Sequence, residues 1–111
     1  LYWGWHMKPY MIIKVGAVDI DVFSVPFDGE AFGDFNYLLM RIRVDENLKG
    51  PVLVDTLIHE LNHAVWAIGV LKTKDEEEER VCSVMASMWT QIFRDNPKFM
   101  AWIKKNLAPT T

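Results

Sequence analysis

Cysteine is almost missing from this chain: Cys82 is the single one in 111 residues. That excludes an intrachain disulfide and fits a reducing cytoplasm better than secretion. Basic residues are not in excess either, with 12 Lys and Arg against 15 Asp and Glu and a formal net charge of -3. Nucleic acid and anionic membrane both favour a clustered basic face, so neither is expected as a partner. The chain also lacks an uninterrupted apolar run. Its most apolar stretch, Val52 to Leu71, is broken by Asp55, His59, Glu60 and His63, so it reads neither as a membrane span nor as a secretory signal. Glycine and proline are too few for linkers or low-complexity tracts, at six and five, and no repeat is visible. What remains is an ordinary globular composition, half apolar, of a size for one domain. We read Leu1–His6 (LYWGWH) as an upstream or appended leader, Met7 as the natural start, and residues 7–111 as the domain.

Histidine is scarce as well, and two of the three sit in one pentapeptide, His59-Glu60-Leu61-Asn62-His63. Residues four apart stand one above the other on a helix, so both imidazoles can point at a single ion. Glu60, one step round, can reach a water beside that ion without being a ligand, which is what a zinc hydrolase requires. A helix is expected there. Leu57, Leu61, Ala64, Val65 and Ile68 recur at helical spacing as an apolar stripe, with Thr56, His59, Glu60, Asn62, His63 and Ala67 beside it.

Ahead of this helix the pattern is that of strands. Met11–Val15 is short and β-rich, Val18 onward alternates apolar and polar residues until Pro26, and Leu39–Val44 alternates again. The stretch 27–37, with Gly29 and Gly33 among acids and aromatics, reads as a connection. After the motif helix a second helix carries Val81, Val84, Met85, Met88, Trp89 and Ile92 on one face. A third opens at Asn96-Pro97, with Asn96 as N-cap and Phe99, Trp102, Ile103 and Leu107 turned inward. The expected class is α+β, a small mainly antiparallel sheet of about three strands packed with three helices.

Two histidines do not complete a catalytic zinc site, which usually takes three protein ligands and leaves one position to water. His6 lies in the leader, so a carboxylate is the better third ligand. The run Glu76–Glu79 begins the next helix, where an antiparallel neighbour would return beside the motif. Cys82 competes, because thiolates bind zinc, although a small buried residue is its simpler role. Ser83 and Thr56 are candidates to orient the histidines.

The pentapeptide and the glutamate-bearing helix after it, over about Val18 to Ile92, resemble the small gluzincin-type HExxH zinc metallopeptidases. The likeness is to the minimal phage and bacterial kind, akin to the ImmA/IrrE-like and SprT-like proteins. That resemblance implies a zinc-dependent endopeptidase of the cytoplasm, possessing Zn2+ as cofactor and a peptide or protein as substrate. It implies His59, His63 and a glutamate as ligands and Glu60 as general base. In the family the glutamate is commonly followed by a small residue at the third place, a small or polar one at the fourth and a small one at the seventh; counting from Glu79 these are Cys82, Ser83 and Ala86, which favours Glu79 over Glu78. The family also sets an edge strand beside the motif helix, here assigned to Leu39–Val44, with Tyr37 just before it as the candidate oxyanion donor. Departures from the wider pattern are the lack of a third histidine at metzincin spacing, of a long C-terminal lobe and of an evident His or Tyr motif for the oxyanion. The alternative is a module that binds zinc without catalysis, for phage assembly or host interaction.

Overall fold

The computed structural model describes residues 8–29, 31–70 and 78–109, with the side chains of Glu78 and Glu79 outside that description. Leu1–Met7, the leader and His6 included, also fall outside it.

Strands β1 (Met11–Val15) and β2 (Val18–Val25) form a tight hairpin, closed by the Val15–Val18 pair around Gly16, whose φ of 60° suits glycine. Ile13, Val15, Ile20 and Val22 point to one face and are fully buried, while Lys14, Asp19 and Asp21 point to the other. Phe23 is buried from that second face, beneath the Arg41 guanidinium 5.7 Å from its ring centroid. Strands β3 (Gly33–Asn36) and β4 (Arg41–Asp45) form a second antiparallel hairpin. β4 pairs in parallel with β2, from Asp21–Arg41 to Val25–Asp45, and the sheet order is β1-β2-β4-β3.

The expected class is met, an α+β fold whose sheet is mostly antiparallel, with one strand more than expected. That strand, β3, lies inside the stretch read as a connection. Its sequence, Gly-Asp-Phe-Asn, has too little alternation to announce itself. It is held instead by the bidentate Asp34–Arg43 pair across the hairpin, where Arg43 Nε donates to Asp34 Oδ1 at 2.9 Å. The assignment of Leu39–Val44 as an edge strand is therefore corrected. Tyr37–Met40 forms the turn, pairing starts at Arg41, and β4 is enclosed by β2 and β3. The edge is β3.

One face of the sheet is covered by helices. α1 (Gly50–Val65), with Pro51 in its first turn, buries Leu53, Leu57, Leu61, Ala64 and Val65 against a core that includes Ile42 and Val44. It runs on into a π-helical turn, Trp66–Val70. Gly69 in that turn gives room to α2 (Glu78–Asp95): a Cβ there would stand 3.2 Å from Val84 Cγ1 and 3.3 Å from Met88 Cγ. α3 (Pro97–Leu107) follows, with Phe99 buried and Leu107, expected inside, about half exposed.

Asn96 does not cap α3 with its side chain as expected. The buried amide instead takes the place of a neighbouring strand on β1. Its Oδ1 accepts from the Lys14 N–H at 2.7 Å, and its Nδ2 donates to the Lys14 carbonyl at 3.0 Å and to the Ile92 carbonyl at 2.8 Å. Gln91 does the same beside it, accepting from Gly16 N–H and donating to the Lys14 carbonyl. Two side-chain amides, Gln91 on α2 and Asn96 at the α2–α3 junction, thus occupy the edge that β1 would otherwise expose. Asn96→Ala leaves the Lys14 groups without these partners and is expected to cost about 1–3 kcal/mol of stability. A urea melt checks it. An unchanged midpoint would mean that water replaces the amide without loss.

Candidate metal centre

The regular helix from Gly50 to Val65 carries His59 and His63 on its outer side, both exposed. Their ring centroids are 5.2 Å apart with planes at 74°. Both line one cleft of about 520 Å³, together with Asn62, Trp66 and Met85 of α2. Two imidazoles a helical turn apart on one wall are the donor pair that zinc takes from such a motif.

Glu60 faces the other way round the helix, toward β3. It is only 7% exposed, and it lines a second cleft, about 200 Å³, with Phe32, Gly33, Asp55, Thr56 and His59. His59 is common to both clefts, so the carboxyl and the imidazole pair meet at that residue. Burial raises the Glu60 pKa above the usual carboxylate range; His59 and His63 pull it down and Asp34 adds to the rise. Among the described residues no side chain or backbone group donates a hydrogen bond to it, and its oxygens are not sealed from solvent, so they open into this cleft.

The second cleft owes its narrowness to Gly33. A Cβ at this position would lie 2.8 Å from the Arg43 carbonyl oxygen, 3.0 Å from Thr56 Cγ2 and 3.4 Å from Glu60 Cγ. Only glycine lets the edge strand lie this close to the motif helix. Gly33→Ala must displace backbone and is expected to cost about 1–3 kcal/mol. A lowered melting temperature checks this; an unaltered one would contradict so close an approach.

The third ligand is not assembled among the described residues, where no group of three His, Cys, Asp or Glu is gathered. Both glutamate candidates have side chains outside that description. The described part of α2 nonetheless bears on them. Cys82, Ser83 and Ala86 are exposed, whereas Val81, Val84, Met85, Met88 and Trp89 are half-buried and Ile92 is buried. The small face therefore does not pack on the motif helix, which removes the ground for preferring Glu79. Cys82 is exposed rather than buried under the site.

Tyr37 stands exposed in the β3–β4 turn and, among the described residues, lines neither cleft. Thr56 is buried beside Glu60, and Ser83 is exposed on α2. Six further residues of the two clefts, Asp55 and Met85 among them, went unread as site residues in the sequence. Trp66 carried a signal, being three residues after His63 on the same helical face. So did Asn62, which lies inside the motif. Phe32 and Gly33 carried none, since their place depends on an unexpected strand.

Compared with known protein families, curated proteins and solved structures, the chain matches none. The α+β fold and the two clefts are therefore described from this chain alone. Among the described residues no helix is long and apolar enough to cross a membrane.

Proposed function

We propose that this protein is a zinc-dependent peptidase, with His59, His63 and one glutamate of α2 holding the ion and Glu60 acting as general base. The observation that carries the reading is Glu60: a carboxyl buried in an edge-strand cleft, adjoining two exposed imidazoles, without a described hydrogen-bond donor. A site that held zinc for stability alone has no use for it. Glu79 and, as the alternative, Glu78 are the candidates for the third ligand. Zinc content of Glu78→Gln and Glu79→Gln separates them, because only the true ligand's variant loses the metal.

Bound zinc would polarise the scissile carbonyl and lower the pKa of an adjacent water. Glu60 takes the proton of the attacking water and passes it to the leaving amine. The outer edge of β3 offers backbone groups to an extended peptide, next to the cleft that Phe32 and Gly33 line with Glu60. Tyr37, beyond the end of β3, remains the proposed oxyanion donor, and cleavage by Tyr37→Phe tests it. With Cys82 exposed and reduced, we assign the activity to the cytoplasm.

The test is digestion of a mixed peptide library by zinc-loaded protein, with products read by mass spectrometry. Cleavage that stops with chelator and returns with added zinc is expected. Zinc-loaded protein that cleaves nothing would leave the catalytic reading without support and favour the zinc-binding module.

A further inference from the structure

The proposed catalysis needs only one wall of the larger cleft, and the rest of its lining is unlike that of the smaller one. Trp66, 43% exposed, and Met85 supply an aromatic face and an adaptable thioether to this cleft. About 520 Å³ is ample for one large side chain.

The polar group above this apolar lining is oriented. Trp89 Nε1 lies 3.2 Å from the Asn62 side-chain oxygen, and an indole N–H can only donate, so the amide's oxygen must face Trp89. The NH2 is left as the open end, with no partner among the described residues. Trp89 is itself braced by the Phe93 ring, 5.4 Å away between centroids. Trp66 is tied to the same turn, since its backbone N–H reaches both the Asn62 and His63 carbonyls at the start of the π-helical segment. An amide fixed at its oxygen presents a donor for a carbonyl at little cost in side-chain freedom.

We propose that this cleft receives one large apolar residue of the substrate, its side chain against Trp66 and Met85 and the backbone carbonyl of the peptide bond on its N-terminal side accepting from Asn62 Nδ2, with Trp89 holding that amide in position. The proposal rests on the zinc-peptidase reading. It makes Trp66 a specificity residue, Asn62 a substrate donor and Trp89 a positioning residue.

Three zinc-directed probes separate these roles: N-acetylphenylalanine hydroxamate, N-acetylglycine hydroxamate, which lacks the ring, and 3-phenylpropanohydroxamate, which lacks the acetylamino carbonyl. Binding to zinc-loaded full-length protein is measured by calorimetry. The first is expected to bind at least about tenfold more tightly than the second, the gain from burying an aromatic side chain. It should also exceed the third by about two- to tenfold, the worth of a neutral hydrogen bond. Trp66→Ala should shrink the first ratio to under about threefold, with Met85→Ser reducing it independently from α2. Asn62→Ala should abolish the second ratio and spare the first. Trp89→Phe should lower the second ratio in the parent but do nothing further in the Asn62→Ala background, as expected for two residues acting as one unit. Ratios near one in the parent, or variants that weaken all three probes alike, overturn the pocket while leaving the peptidase reading in place. Protein that takes up no zinc, or zinc-loaded protein that binds none of the probes, overturns that reading and the pocket with it.

Discussion

Glu60→Gln is expected to slow peptide hydrolysis by a factor of about 10²–10⁴ while the protein keeps its zinc. Glutamine preserves the volume and the hydrogen-bonding oxygen of the side chain but cannot accept the proton of the attacking water. The ligand atoms belong to other residues, so metal content should not change. The same substitution should act on stability in the opposite sense. Glu60 is buried at the edge-strand cleft without a described donor, and an ionised carboxylate in such a place lowers stability. Chelator-treated Glu60→Gln is therefore expected to melt above chelator-treated wild type. A slower and more stable protein is what a side chain kept for chemistry predicts. If the variant hydrolyses as fast as wild type, Glu60 is not the base; if it melts lower, the carboxylate has a structural partner.

The second large effect concerns His63→Ala. Loss of an outer partner of a zinc ligand alone weakens metal binding 10- to 100-fold, so removing the ligand itself should cost at least about a hundredfold in zinc affinity. His63 is exposed, and substitutions at such positions usually change stability by no more than about 0.5 kcal/mol. Without metal, variant and parent should then melt within about 3 °C of one another. With saturating zinc only the parent should gain, because a ligand that binds the folded state raises its melting temperature. A zinc-dependent gain that survives in the variant would place the ion elsewhere.

The sequence made the helical half of this account legible because the signals there are local. Leu57, Leu61, Ala64 and Val65 recur at the helical period and all four are fully buried. The same period puts His59 and His63 on one side. The β1–β2 hairpin was equally plain, since its alternation and Gly16 lie within one short stretch. What escaped depends on long-range packing. β3 is only four residues long and is fixed by Arg43 of its neighbour, so nothing local distinguishes it from a loop. Once β3 is the edge strand, β4 becomes interior, and the strand chosen from the sequence could not be the open one. Asn96 was read as a cap because Asn before Pro usually serves that purpose, but a bond across 82 residues to Lys14 takes its side chain instead. The choice between Glu78 and Glu79 turned on which face of α2 meets the motif helix. That depends on the π-helical turn and on Gly69, and sequence periodicity alone does not give such a crossing.

The measurement that bears most directly on the central claim is the zinc content of freshly purified protein beside its His59→Ala variant. Near-equimolar zinc in the parent, absent from the variant, is the predicted result. No zinc in the parent after zinc is offered, or an undiminished amount in the variant, would contradict a metal centre at this helix.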